Sequence, residues 1–384
     1  MKKTMIFMLL CAAMATAFTA CDSLIPNDQT AEGENTQGGN NGNGNDNDNP
    51  GGTVDDGKTR VRQIVQGDEE YGMVYKFEYD GDNLVKFTVT DNANQADHTY
   101  DISYGDNTIE VVSSRQYWED EDIYAVRYNF TTDGNGMVTG GTEEWISGDE
   151  GSGRFSLSYE DGFLAGIQYD GDYRDESNAF TWTDGQLTGN VFSSESPYDG
   201  LQETEYTYIY SDSPNNANID LNWFSSASYN AAGTQSEWID WSLAIAGMTG
   251  HLGEKSSCLI ANAQTPEYEY TADDYENMGF PKDPIPEDGI YKVPMEVPFY
   301  KVEGGQYTLN DEGLPITFTS TTKVYRVTFE WSVRKTITDY ENFDQPDGPD
   351  GQKLYYSYDE EVLGIEEVSR EAMTEYPSSM TISY

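Results

Sequence analysis

The chain has 384 residues, with 21 Lys plus Arg against 69 Asp plus Glu, a net charge of −48 and a mean hydropathy of −0.69. A surface this acidic repels phosphate backbones and anionic headgroups, so nucleic acid is not an expected partner. Cys11 and Cys21 lie in the first 21 residues and Cys258 stands apart, so the fold has no disulfide framework and depends on packing.

Residues 1–20 have the layout of a secretory signal: Lys2 and Lys3, then the apolar run "MIFMLLCAAMA", too short to span a bilayer as a mature helix. The run closes at "FTAC", where small residues precede Cys21. This resembles the bacterial lipoprotein lipobox, with Phe18 in place of the usual Leu. The resemblance implies cleavage before Cys21 and a lipidated thiol there. Thioether-linked and amide-linked acyl chains together exceed what one chain gives for stable anchoring, so the mature protein is expected to be tethered to a membrane without spanning it. Loss of Lys2 and Lys3 takes its charge to −50. An ordinary secretion signal with an incidental Cys21 is the alternative.

Residues 21–57 then carry the lipidated Cys and a Gly/Asn/Asp-rich segment with almost no apolar side chains. Such a segment buries too little surface to offset its chain entropy. It reads as a disordered tether of about 30 Å mean reach. It lacks the spacing of a calcium-binding loop or repeat.

Residues 58–384 are the expected β-rich domain. "FEYDGDNLVKFTV" from Phe77 is a strand, an Asp-Gly turn and a returning strand, and "DISYGDNTIEVV", "YNFTTDGNGMVTGG", "LSYEDGFLAGIQY" and "FTWTDGQLTGNVF" follow the same plan. The turn glycines Gly81, Gly105, Gly134, Gly162 and Gly185 lie 24, 29, 28 and 23 residues apart, a drift that suits a meander better than a solenoid. One hairpin buries too few side chains to offset the ordering of its backbone, so the units must pair edge to edge. The expected fold is all-β: a wide curved antiparallel meander of hairpins, barrel-like or open, with one or two short covering helices.

Cover is expected from the middle of the chain. "NIDLNWF" alternates Ile219, Leu221 and Trp223 as a strand would, and Trp238, Trp241, Ile245 and Met248 share one face of a short helix that Gly247 and Gly250 would end. The neighbouring "GMTGHLGEKSS" is not a phosphate loop, because Glu254 separates Gly253 from Lys255. Prolines 281, 284, 286, 294 and 298 predict an extended segment unsuited to a central strand. After them, "KVYRVTFEWS" sets Tyr325, Val327, Phe329 and Trp331 on one strand face. Ile365, Val368, Ala372 and Met373 recur at helical spacing, and Met380, Ile382 and Tyr384 alternate again.

The "YDGDNL" and "YEDGFL" hairpins look like YD-type units but lack the Arg that usually follows the turn glycine in secreted YD-repeat shells. With the lipobox, the tether, "NIDLNWF" and the "LNDEGLPITF" hairpin, they resemble an uncharacterised family of Bacteroidetes lipoproteins. That resemblance implies a porin-like curved antiparallel sheet from about Lys58 onward and location in the outer envelope. It implies no activity.

No catalytic residues, metal or cofactor are expected. His98, in the polar "NQADHTYD" stretch read as a loop, and His251 lie 153 positions apart and away from nucleophile motifs. Cys258 reads as a buried small hydrophobe. Acids are too abundant for a pair such as those in "YWEDEDIY" or "SGDEGSG" to stand out. Trp118, Trp145 and Trp182 lie in strand-like runs and are the candidate ligand-binding residues, suited to stacking on sugars. The expected protein is a lipid-anchored, non-enzymatic outer-membrane protein of the cell envelope, facing the periplasm or the surface, whose partner is a neutral glycan or another envelope protein. A glycosidase-like enzyme and an integral outer-membrane barrel are the alternatives. Replacing Cys21→Ala is expected to abolish incorporation of labelled palmitate and to move the protein from the membrane to the soluble fraction; unlabelled protein retained in the membrane would contradict the anchor.

Overall fold

The structure is a computed structural model that describes residues 58–67, 72–117, 123–147, 151–172, 175–196, 200–227, 241–264, 270–280, 285, 287–338 and 358–384. The expected signal, the tether with Cys21, and Trp238 lie outside those residues. Twelve strands lead the chain: β1 (Gln63–Gln66), β2 (Met73–Asp80), β3 (Asn83–Asp91), β4 (Ala96–Tyr104), β5 (Thr108–Tyr117), β6 (Ile123–Thr132), β7 (Val138–Ser147), β8 (Ser152–Glu160), β9 (Phe163–Gly171), β10 (Asp175–Thr183), β11 (Gln186–Ser196) and β12 (Gly200–Pro214). Helices α1 (Leu221–Ala227) and α2 (Trp241–Met248), strand β13 (Cys258–Gln264) and helix α3 (Ala272–Asn277) come next, before the long strands β14 (Gly289–Leu309), β15 (Pro315–Ile337) and β16 (Tyr358–Ser383).

All sixteen strands form one sheet, in the order β13 back through β1, then β16, β15 and β14. The paired strands from β1 to β13 and β16 to β1 run antiparallel, as the meander requires. The sheet nearly closes into a barrel. Its two edges meet through side chains where a backbone ladder would otherwise run: Asn262 Nδ2 donates to Val302 O at 2.7 Å and Tyr307 OH to Ile260 O at 3.1 Å. Gly305 permits that approach, since a Cβ there would lie 1.9 Å from Ala261 O. The expected extended, proline-bearing segment is in part the edge strand β14, which carries Pro294 and Pro298.

The chain divides into two compact units. The larger comprises residues 53–269, 294–330 and 366–384. In it each predicted Asp-Gly hairpin is present, with Gly81, Gly162 and Gly185 at φ of +59°, +86° and +74°. In the β6–β7 turn the left-handed position is Gly136 and not Gly134. The register shifts by one residue beside several turns, at Tyr79, Tyr159 and Trp182, which face Leu84, Leu164 and Leu187 across their hairpins. At Tyr159 and Trp182 the resulting kink aims the aromatic tip at the preceding unit. Tyr104 OH donates to Leu84 O (3.0 Å), Tyr159 OH to Val138 O (2.6 Å), Trp182 Nε1 to Leu164 O (2.8 Å) and Tyr210 OH to Leu187 O (2.9 Å). The hairpins that open with β4, β8, β10 and β12 are therefore each stitched to the strand before them by a bond that no hairpin makes alone.

One face of this wall carries Tyr75, Phe77, Phe87, Tyr100, Tyr128 and Phe130, all buried. Helices α1 and α2 fill it. Phe224 meets Tyr75 edge-on at 4.9 Å between centroids, Trp241 lies 5.0 Å from Phe87, and Trp223 meets Phe180 at 6.1 Å. Trp223 stands in α1, not in the alternating strand its sequence suggests. Asp220 caps the helix by accepting from Asn222 N at 3.0 Å, and Leu221 through Ser226 are all buried, so burial there has no period to read. Gly247 does not end α2; it lies within the helix because a Cβ there would be 2.4 Å from Trp223 Cγ. The helix stops one turn later, with Gly250 at φ +82° and bonds from Gly250 N to Gly247 O and from His251 N to Ala246 O.

The chain after α2 then crosses successive hairpin turns. His251 Nδ1 donates to Gly136 O at 2.7 Å and Val138 N to His251 O at 2.8 Å; Glu254 N donates to Gly162 O at 2.9 Å; Gln186 Nε2 donates to Ser257 Oγ at 2.6 Å. Cys258 opens β13 half-exposed, not buried as its apolar flank suggests. Asn222 joins this strand to α1, donating to Cys258 O (2.9 Å) and accepting from Ile260 N (2.8 Å). The run with Ile365, Val368, Ala372 and Met373 is strand, not helix: it belongs to β16, and Val368 and Met373 are half exposed, so their helical spacing marks no buried face.

The smaller unit comprises residues 1–52, 270–293 and 331–365, described here from Tyr270. Trp331 is buried against Tyr270, Tyr275 and Phe280. Lys335 is buried beside Glu360 at 3.1 Å and donates to Tyr358 OH at 3.2 Å, while Tyr275 OH donates to Glu360 at 3.0 Å. Every member of this ionic group has a partner, which a buried charge requires.

Asp220 generates a pH test. Burial pushes its carboxyl above the usual range, against hydrogen bonds from Asn215 and the backbone of Asn222 and the charge of Lys255. An acid whose folded pKa is raised contributes stability that is present at low pH and lost as pH rises through that folded value. Asp220→Asn keeps an acceptor for the cap, so its melting temperature should fall less than the parent's between acid and neutral pH; parallel profiles in thermal melts would contradict this.

Candidate functional site

In an antiparallel pair, residues directly opposite project from the same face. From Tyr75, which touches the helices, the register runs to Val89, His98, Arg115 and Tyr124. His98 is therefore on β4 and on the helix-bearing face, not in a loop. On the same face Val126 stands opposite Trp145, and Tyr128 opposite Glu143, which in turn faces Gly153 and then Gly171. Phe155 pairs with Tyr169, Tyr169 with Glu176, and Glu176 with Ser194.

The helices and the segment after them sit at the Asp-Gly turn end of this face. At the opposite end the concave wall reaches solvent. Trp145 is 39% exposed and Tyr124 40% exposed. Trp145 is held by its edge: Nε1 donates to Glu143 at 2.8 Å. That bond satisfies the indole's polar atom and leaves its flat surface for a ligand. Tyr169 lies flat on the wall, because ideal Cβ atoms on Gly153 and Gly171 would fall 2.4 Å and 2.5 Å from its ring. Phe155 stands beside it at 4.8 Å. The strip thus combines aromatic faces with the carboxylates of Glu143 and Glu176 and the cation of Arg115.

Of the three candidate tryptophans, the structure brings Trp145 to this strip. Trp182 is half-buried at the turn end, its ring 4.7 Å from Phe163 and its N–H on Leu164 O, so it packs and stitches the wall. Trp118 and the acids Glu119, Asp120, Glu121 and Asp122 lie outside the described residues, as do Asp149 and Glu150. His98 and His251 stand at opposite ends of the concave face. Among the described residues no three His, Cys, Asp or Glu side chains converge as a metal site would need. Sequence reasoning missed Tyr169; its only signal was a pair of glycines whose alignment depends on the strand register.

Among solved structures, the chain is similar to a porin-like protein from Bacteroides uniformis ATCC 8492, at 12% identity over 84% of this chain and 95% of that one, with a TM-score of 0.43. It is similar also to a porin-like protein from Bacteroides vulgatus ATCC 8482, at 12% identity over 85% of this chain and 99% of that one, with a TM-score of 0.44. No family model and no curated protein matches the sequence. Likenesses of that distance say nothing about what the chain binds.

Proposed function

We propose that the protein is a lipid-anchored, non-enzymatic binding protein of the outer cell envelope that takes a neutral glycan against its concave wall. The observation that carries the reading is Trp145: a tryptophan on a concave strand face, its N–H already satisfied and its ring open to solvent. A mature charge of −50 disfavours anionic ligands, while an amphipathic ring stacks equally well on the apolar face of a neutral sugar.

The wall supports an aqueous setting over an integral barrel. A membrane barrel turns apolar side chains outward and polar ones inward. Here the apolar row faces in, and the opposite face carries Arg127 between Glu110 (3.4 Å) and Glu144 (3.1 Å), with Lys86 3.8 Å from Asp101. Such pairs contribute little to stability, but their removal from water would be costly. The Cys21 anchor supplies the membrane association in this reading, and another envelope protein is the competing partner.

The chain expressed from Asp22 onward should be monodisperse without detergent and should show glycan-dependent changes in tryptophan fluorescence on titration after selection on a glycan array. Stacking contacts of this kind are worth about 0.5–1.5 kcal/mol each, so affinities of about millimolar to micromolar are expected. Trp145→Ala should weaken binding by about two- to tenfold or more, with an unchanged melting temperature. A variant that binds like the parent, or a parent that binds no glycan, would overturn the proposal; hydrolysis of the glycan would overturn its non-enzymatic part.

A further inference from the structure

Strand β16 has 26 residues, but its neighbour β1 has only 4. The ladder between them runs from Gln63 opposite Ser383 to Gln66 opposite Met380, and a last bond from Gly67 N to Ser379 O closes it. Pro377 stands just beyond, with no N–H to carry the ladder further. β15 lies along the other side of β16. On the β1 side, no strand among the described residues lies beside residues 366–377. An antiparallel strand turns the N–H and C=O of alternate residues to the same neighbour. The bond at Ser379 therefore assigns the backbone groups of Glu375, Met373, Glu371, Ser369 and Glu367 to the open side. A row of such groups is a template for another strand. Neither face of the stretch is covered: it has no buried residue, and Val368 and Met373 are half exposed.

The side chains along this edge state what it fits. Glu367, Glu371 and Glu375 recur on one face of the strand and Glu366 stands on the other, while Arg370 is the single cation between 366 and 377. Arg370 is already engaged, 2.8 Å from Glu367 and 4.7 Å from the centre of the Phe299 ring. Lys323 of β15 approaches Glu375 only to 3.9 Å, from the closed side. A second copy laid antiparallel about Glu371 would set that residue against itself and Glu367 against Glu375. Like charges directly opposite each other destabilise a strand pair. The carboxylates that keep copies of this chain apart thus favour a strand carrying positive charge.

We propose that residues 367–375 of β16 are a strand-addition site for a basic, extended segment of another protein. Its backbone pairs with the free N–H and C=O groups of Ser369, Glu371 and Met373, and its Lys or Arg side chains meet Glu367, Glu371 and Glu375. The site lies apart from Trp145 and is independent of the glycan reading.

A decapeptide of alternating Lys and Thr, titrated by calorimetry at physiological salt against the chain from Asp22 onward, tests the proposal. A chain this acidic attracts any cation, so the control is the same peptide with every backbone N–H methylated, which keeps the charge and loses the ladder. The unmethylated peptide should bind about tenfold more tightly, the worth of two or three ladder hydrogen bonds. Amide hydrogen exchange at Ser369, Glu371 and Met373 should slow when it binds. Met373→Pro removes one donor from the open edge and should weaken binding by about two- to tenfold with an unchanged melting temperature. Should that variant fail to fold, the exposed double reversal Glu371→Lys with Glu375→Lys should weaken binding by about tenfold, whereas Glu203→Lys with Glu205→Lys, an equal change of charge on β12, should leave it within about twofold. Equal affinity for the methylated peptide, unslowed exchange at 369–373, or binding that survives reversal at 371 and 375 would overturn the proposal. Dimerisation of the free chain that the peptide suppresses would also overturn it, by giving the edge to a second copy.

Discussion

The described hairpins of the wall turn their buried apolar side chains to the same face, and that constraint determines the rest of the structure. A curved sheet of such hairpins gathers Tyr75, Phe77, Phe87, Tyr100, Tyr128 and Phe130 onto one concave surface that water would otherwise touch. Curling brings the rows closer but does not fill the space between them. The filling comes from α1 and α2, whose Phe224 and Trp241 stand among those rings with centroids about 5 to 6 Å apart. Aromatic pairs at such separations add about 0.5–1.5 kcal/mol each to the gain from burial. Helices and wall are one core.

The polar groups follow from the same arrangement. A helix pair inside a sheet brings its backbone ends into a dry interior, where each unsatisfied group would cost about 1–3 kcal/mol. Asp220 caps α1, Asn215 braces Asp220 at 2.7 Å, and Asn222 uses both ends of its amide on β13. The end of α2 is closed by Gly250, and the chain beyond it spends its donors and acceptors on the hairpin turns it passes. These contacts collect at the turn end, so the helices occupy that end and the opposite part of the wall is left open, where Trp145 and Tyr169 lie.

Much of this was legible in the sequence, for a local reason. An Asp-Gly turn between alternating runs specifies its hairpin within a dozen residues, so the strands around Gly81, Gly162 and Gly185 could be read directly, and the failure of one hairpin to stand alone required a single wide sheet. What escaped was information held in tertiary context. Ile219, Leu221 and Trp223 alternate, yet α1 is buried on all sides, so a two-residue period and a helical one fit it equally; Asp220 as a cap was the better signal. Gly247 looked like a helix stop because its real constraint, the Trp223 ring, lies 24 positions away. Ile365 to Met373 mimicked an amphipathic helix in a stretch of β16 with no buried residue. Trp145 was a candidate by type alone, whereas Tyr169 became one only when the register set Gly153 beside Gly171.

The concave face is sealed by helices at the turn end and open at the other. Thiol accessibility tests it most directly. In a Cys258→Ser background, Ser194→Cys samples the open part of the wall, on the face shared with Glu176, and Ser242→Cys samples α2, where the parent side chain has no exposed surface. Position 194 should be modified rapidly in the folded protein, and position 242 should be protected until the fold is lost. Equal reactivity at the two positions, or protection at 194 with modification at 242, would contradict it.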